Sequence, residues 1–436
     1  MNGTRALVPL ALAALLAPAV ACASGYAIYE QGATALGVAG AYTASAHDGS
    51  ALFYNPAALA SLRGFEITGG GSWLATRQSF AGSDVGANSY PGYNVRESMV
   101  HGNFFLPHLY LNSPLTHRSS IGVGVYTPYG LGTEWEDPTR FTGREHATKA
   151  RLETVNLGAS IAYAITDRLS LAAGVNELWG SVELHQIRLS PPLPGSGGGR
   201  ANVADVKLES AMRTGTGFNG ALLWAPAYEW SFGLAYRGGI DVKIDDGDAT
   251  FTQIPTGNPS VDAGVAASLP PNQKVGTTLH FPAILSVGAA WRPLPQWTWE
   301  ADVNWTQWSD FDRLALDFKT TNSADTSLVE DYHDSYRVSV GAERRGRRFT
   351  YRLGYYYDQD AAPAESVTPL LPDASRHGAT LGLGFKLGAK KNIAVDLYNL
   401  ALFVETRSTE GISRDHYDGV YKAYVNSTGL TIGYHW

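Results

Sequence analysis

The chain has 436 residues, of which 44% are hydrophobic, 11% aromatic and 17% charged, with 48 Gly and a formal net charge of −7. That length holds one large domain or two to three ordinary ones, and abundant Gly and aromatics favour strands over helices. The mild negative charge is scattered and no long basic block occurs, so nucleic acid is not expected as a partner.

The first element predicted is a signal peptide over residues 1–23. Arg5 supplies the positive start, Ala6 to Val20 the apolar stretch, and Ala21-Cys22-Ala23 the small residues before cleavage. Cys22 is the one cysteine, so the mature chain is expected to carry no thiol and no disulfide. An acylated Cys22 is the alternative, but Ala19-Val20-Ala21 before it is a weak match. No later stretch approaches the roughly 18 apolar residues that a spanning helix needs.

Residues 24–63 do not alternate and are rich in Ala and Gly. Asp48 can cap a short helix, and Asn55 can cap a second with Pro56 at its first position, where a missing N–H costs nothing. A segment this small has no core of its own. Its small side chains suit packing against a barrel wall, so a plug in the lumen is expected.

From residue 64 to 436 the pattern changes to period two. In Trp297–Thr306, Trp297, Trp299, Ala301, Val303 and Trp305 oppose Thr298, Glu300, Asp302, Asn304 and Thr306. Similar alternation marks Trp230–Arg237, Tyr336–Glu343, Phe349–Asp358 and Thr380–Leu387. The polar face carries Gly, Ser and Thr more than charge, and aromatics gather near strand ends, as at a membrane interface. Short links alternate with long ones near 79–99, 129–149, 190–202, 246–272, 319–333, 359–376 and 404–421. This asymmetry predicts a transmembrane antiparallel β-barrel of about 14 strands, with tight periplasmic turns and long outer loops. The last strand places Leu430, Ile432, Tyr434 and Trp436 on one face and ends on an aromatic residue.

The run Gly37 to Thr43, followed by Asp48 to Ala57 with Asn55, Pro56 and Ala57, resembles the N-terminal hatch of the FadL family of outer-membrane transporters. Phe281–Gly288, Trp305–Phe311, Tyr332–Gly341 and Leu371–Arg376 are similar to further family segments, in the right order. The resemblance implies a monomeric barrel closed by the hatch and uptake of long-chain fatty acids or neutral hydrocarbons, captured by outer loops. It implies release sideways through a gap made by an inward kink of the third strand. In this chain that strand covers Ser120 to Tyr129, and Gly122, Gly124 and Pro128 are the residues expected to make it irregular. The loop at 190–202 is short and Pro/Gly-rich, so the capture groove is expected from 79–99, 246–272 and Val367 to Leu371 instead.

Arg237, Arg337 and Arg352 should face the lumen, where one could meet a carboxylate headgroup. The alternative is that they pair with lumenal Glu300, Asp302, Glu343 or Asp358 and brace the barrel. Asp245–Asp248 lacks the spacing of a calcium loop, and the scattered histidines form no zinc pattern, so neither metal nor cofactor is expected. No Gly-x-Ser-x-Gly motif supports a lipid hydrolase, and the pre-barrel segment argues against a general diffusion porin. The expected partners are a hydrophobic small molecule, lipopolysaccharide and outer-membrane lipid.

Overall fold

The computed structural model of the chain describes all residues except 1–24, 84–90, 92–94, 193–199, 321–325 and 389–391. The expected signal peptide, Cys22 and the middle of the 190–202 loop therefore lie outside the described residues.

Alternating sequence becomes alternating exposure. Along Trp297–Thr306 the side chains with polar ends turn inward and the apolar ones outward. The wall strands are β1 (Glu66–Gly82), β2 (Gly102–Pro114), β3 (Ser119–Tyr126 and Gly130–Glu134), β4 (Lys149–Thr166) and β5 (Leu169–Leu189). Next come β6 (Asn202–Glu209 and Arg213–Trp224), β7 (Trp230–Arg237 and Ile240–Gln253) and β8 (Gln273–Phe281 and Ile284–Leu294). The circuit continues with β9 (Trp297–Thr306), β10 (Ser335–Arg345), β11 (Phe349–Asp358), β12 (Arg376–Leu387), β13 (Ile393–Val404) and β14 (Gly419–His435). Each pairs antiparallel with its neighbours, and β1 closes on β14 from Glu66↔His435 to Gly82↔Gly419. The result is a closed barrel of 14 strands.

Six connections are short and share one end with the chain's last residue, whereas the others are long and crowd the opposite end. By the usual rule of such barrels the short turns are periplasmic. Outward-facing Trp73, Phe218, Tyr351, Leu353, Leu381 and Trp436 are each at least half exposed, an arrangement suited to lipid contact rather than water.

Four strands are broken: β3 at 127–129, β6 at 210–212, β7 at 238–239 and β8 at 282–283. Strands β9 to β13 run without a break. The breaks put Pro128, Gly238-Gly239 and Pro282 where a ladder would need donors or stiff backbone.

Residues 25–61 form no wall strand. They fold as α1 (Ala33–Gly37), α2 (Ala51–Tyr54) and a 3-10 helix (Pro56–Ser61), and nearly every side chain is buried among inward-facing wall residues. Asn55 caps the last helix, accepting from the Ala57 N–H at 3.0 Å, with Pro56 at its first position. Asp48 does not cap α2 as expected: Ser50 is the N-cap, and Asp48 accepts from the Ser50 N–H at 3.0 Å one step before the helix.

Candidate functional site

The segment 25–61 meets the wall in two different ways. Against the unbroken side, wall side chains grip its backbone. Asp302 Oδ2 accepts from the Tyr42 and Thr43 N–H groups at 2.8 Å each, and Glu300 Oε1 accepts from Ala44 N–H at 2.5 Å. Arg337 Nη2 donates to the Ala39 carbonyl at 3.2 Å, Thr380 Oγ1 donates to Gly37 O at 3.2 Å, and Ala33 N–H donates to Thr431 Oγ1 at 2.9 Å. Carboxylate bonds to backbone N–H are charge-assisted and stronger than neutral ones.

Against the broken side the contact is backbone pairing, aromatic packing and neutral-acceptor side-chain bonds, among them Ser231 Oγ donating to Ala44 O at 2.8 Å, with no carboxylate gripping the segment among the described residues. Ile28 N–H donates to Pro128 O at 2.8 Å, and Gly130 N–H donates to Tyr26 O at 2.9 Å. Residues 26–28 thus occupy the β3 edge that β2 would otherwise pair with. The Tyr26 ring sits edge-on to Trp308 at 4.6 Å, Phe311 at 5.4 Å and Phe281 at 5.9 Å. Its hydroxyl donates to His280 O at 2.6 Å, while Tyr129 donates to Pro282 O at 3.0 Å. The breaks of β3 and β8 therefore converge on one aromatic box whose centre is Tyr26.

The same displacement opens the wall. Strands β2 and β3 pair from Leu109↔Val125 to Pro114↔Ser120 and meet again where Val100 N–H donates to Glu134 O at 2.8 Å. Among the described residues no ladder pairing joins the stretch 101–108 to β3. Behind this gap Ile28, Leu74 and Leu106 form a buried apolar cluster, with Phe104 against it.

Of the three residues expected at the opening, Pro128 lies in the break. Gly122 and Gly124 instead sit in the part of β3 that pairs on both sides. A Cβ on Gly122 would stand 2.7 Å from Leu59, and one on Gly124 2.9 Å from Leu52, so these glycines make room for the segment inside. Asn55 is fully buried and ties that segment together: its Nδ2 donates to Thr43 O at 2.7 Å and to Leu222 O on β6 at 3.1 Å. Pro56 and Ala57 are buried beside it.

The three arginines part ways. Arg352 donates to Glu343 at 2.7 Å and to Asp396 at 2.6 Å, the bracing arrangement weighed in the sequence. Arg337 is buried between the rings of Tyr356 and Tyr29, 3.6 and 4.5 Å from their centroids, and among the described residues it has no ion pair. Arg237 lies 4.2 Å over the Phe53 ring and donates to the Phe53 carbonyl at 2.9 Å. It borders a small cavity of about 30 Å³ shared with Leu52, Phe53, Ile284, Asn219, Ser286 and Asn304. Glu300 and Asp302 do not pair with any of the three; they hold the Tyr42–Ala44 backbone instead.

Sequence reasoning missed Tyr26 and its box, because the partners are scattered from 129 to 311 and none belongs to a local motif. It also treated Val367 to Leu371 as groove surface. Val367 and Leu371 are buried, and Pro369 O accepts from the Trp135 indole at 3.1 Å. The 254–272 connection carries an exposed helix, α3 (Pro259–Ser268), capped by Asn258. In the acidic stretch, Asp248 lies 2.6 Å from Lys274, and no group of three or more metal-ligating side chains occurs among the described residues.

Comparison with known proteins agrees over nearly the full length. The long-chain fatty acid transport protein of Escherichia coli is 24% identical across 98% of each chain. Outer membrane protein P1 of Haemophilus influenzae is 26% identical across 89% of this chain and 88% of its own. A FadL homologue from Pseudomonas aeruginosa shares the fold with a TM-score of 0.80 at 20% identity, covering 94% of this chain and 99% of that one. The toluene transporter TodX of Pseudomonas putida gives 0.71 at 18% identity, covering 95% and 99%. The profile of the outer membrane protein transport protein family (OMPP1/FadL/TodX) matches residues 14–435, and this chain, a protein of the outer membrane, belongs to that family.

Proposed function

We propose that this protein takes up hydrophobic compounds across the outer membrane without an energy source, with long-chain fatty acids as its first substrate class. Residues 24–63 serve as the hatch, and cargo leaves sideways through the gap between β2 and β3. The observation that carries this reading is the 102–108 stretch of β2, laddered to β1 but not to β3 among the described residues, beside the buried cluster of Ile28, Leu74 and Leu106. An acyl chain gains roughly 0.8 kcal/mol for each CH₂ it buries, so it follows an apolar path in preference to a wet bore. The hatch denies polar solutes that bore. One chain closes the barrel alone, which supports a monomer that meets lipopolysaccharide outside and phospholipid inside. The names of the relatives, long-chain fatty acid transport protein among them, point the same way. We assign the protein no catalytic step.

Arg237 is the cation we assign to a fatty acid headgroup, since it stands inside the barrel beside a small cavity of mixed apolar and polar lining and has no ion-pair partner among the described residues. Neutral hydrocarbons are the second reading, favoured by the cluster at the gap, which contains no cation. Arg237→Ala separates the two. Oleate uptake by cells carrying the variant should fall about tenfold, the equivalent of one charge-assisted hydrogen bond, while toluene uptake stays unchanged. Equal oleate uptake by variant and wild type would remove Arg237 from the proposal.

A further inference from the structure

The turn between β10 and β11 reads Arg344-Arg345-Gly346-Arg347-Arg348, four cations in five residues at the periplasmic rim. Arg345 is spent inward, its Nε donating to Glu343 at 2.7 Å. Arg344 points along the outer wall, 5.7 Å from the Trp297 ring. Arg347 and Arg348 are exposed and, among the described residues, make no hydrogen bond or ion pair. They flank a recess of about 590 Å³ bounded by Phe349 and Tyr351, and also border the periplasmic vestibule of the lumen.

Directly above, the lipid-facing wall has a depression of about 650 Å³. Its floor is made of small residues, Ala289, Ala301 and Ala342, and its sides of Trp291, Trp299 and Tyr355. Register ties the two features together. Ala342 lies beside Trp299 on β9 and Leu353 on β11, and Arg344 follows Ala342 two residues down the same face. On β11, Phe349 and Tyr351 of the lower recess lead to Leu353 and Tyr355 of the upper one. One column on the barrel exterior therefore runs from unpaired guanidinium groups to an apolar groove.

We propose that this column binds one anionic phospholipid of the periplasmic leaflet, its phosphate on Arg344, Arg347 and Arg348 and an acyl chain over Ala342 and Ala301. Charge complementarity selects that occupant. Guanidinium groups pair with phosphate oxygens through two parallel N–H bonds. Lipid tails are as apolar as the wall, so the groove contributes fit and the arginines contribute the preference. Lipopolysaccharide also carries phosphate, but this turn lies at the end with the short connections, in the opposite leaflet.

The test uses the full-length protein purified in detergent and offered equal amounts of dioleoyl phosphatidylglycerol and dioleoyl phosphatidylcholine. Native mass spectrometry then counts the lipids retained. Wild type should retain phosphatidylglycerol with a preference of about tenfold or more, at roughly fivefold for each arginine near the phosphate. Arg347→Ala with Arg348→Ala should lower the ratio to at most the roughly fivefold that Arg344 alone supplies, and adding Arg344→Ala should bring it close to one. The control pair Arg118→Ala with Arg168→Ala, in two other periplasmic turns, should keep it. Ala342→Phe, which fills the floor, should lower retention of phosphatidylglycerol, and excess inorganic phosphate should not displace the lipid. Equal retention of both lipids by wild type, an unchanged ratio in the Arg347/Arg348 variant, full retention in Ala342→Phe, or displacement by phosphate alone would each overturn the proposal. Heat-dependent gel migration confirms that each variant is folded.

Discussion

The wall of this barrel has two sides that hold its hatch by different chemistry. Along β9 to β12 the strands are unbroken, and inward side chains reach the hatch backbone through Asp302, Glu300, Arg337 and Thr380. Along β3, β7 and β8 the strands are interrupted, and the hatch answers with backbone pairing at Ile28 and with the Tyr26 ring. The first side is a polar clamp whose groups would be left unsatisfied in a low-dielectric interior if it let go. The second joins aromatic packing to two backbone bonds, so an apolar molecule can compete for the packing of Ile28 and its neighbours while the backbone pairs hold. Cargo should therefore compete with the hatch on the broken side while the clamp keeps the bore shut.

Breaking the clamp should have the largest effect. Glu300→Ala with Asp302→Ala removes three buried hydrogen bonds to Tyr42, Thr43 and Ala44 and leaves their N–H groups unsatisfied, a loss on the order of 5 kcal/mol. Planar bilayers should pass from near silence with wild type to frequent large channel openings with this variant. Silence in both would mean that the clamp does not keep the plug in place, and large steady channels in wild type would return the protein to the porin reading.

A smaller effect is expected on the other side. Leu106→Asp puts a charge into the cluster behind the gap, where an unpaired charge is costly to bury. Uptake of both oleate and toluene should fall about tenfold or more, with bilayer conductance unchanged. An unaltered uptake would detach the cluster from the route. The pairing of this result with the Arg237 result is informative, because the first strikes all cargo and the second only acids.

The smallest effect concerns the outer loops. Glu330, in the connection between β9 and β10, is buried, and that burial raises its carboxyl from 4.5 to about 7, with Arg414 opposing. A carboxyl raised on folding stabilises the closed loop fully below about pH 4.5, and that contribution is lost as pH rises through 7. Local opening around 326–334, read by amide exchange corrected for intrinsic rate, should grow by up to about tenfold per pH unit across that window. Glu330→Gln should abolish the dependence, and a dependence of the same slope in that variant would assign it elsewhere.

Much of the regular side was legible in the sequence. Trp297–Thr306 announces its two faces, Asn55-Pro56 announces a cap, and the alternation of short and long links announces the closed sheet. Arg352 and Glu343 lie opposite one another at a β10–β11 register position, so their pairing follows once the strands are aligned. The broken side was less legible. Pro128 marks one interruption, but Gly238-Gly239 and Pro282 had equal local signal and gain meaning only once β7 and β8 are set beside Tyr26. The roles of Glu300 and Asp302 were hidden for a related reason. A carboxylate facing a lumen looks the same in sequence whether it meets an arginine or the backbone of a plug more than 250 residues away.

The central claim is that cargo turns sideways at the gap instead of descending past the hatch. Its most direct test is photolabelling, with a long-chain fatty acid carrying a diazirine near its methyl end, followed by mapping of the modified residues. The account predicts label on Ile28, Leu74, Phe104 and Leu106. Label confined to the periplasmic vestibule of about 800 Å³ around His47, Arg345 and Lys386 would contradict it, because cargo would then have passed straight down the lumen.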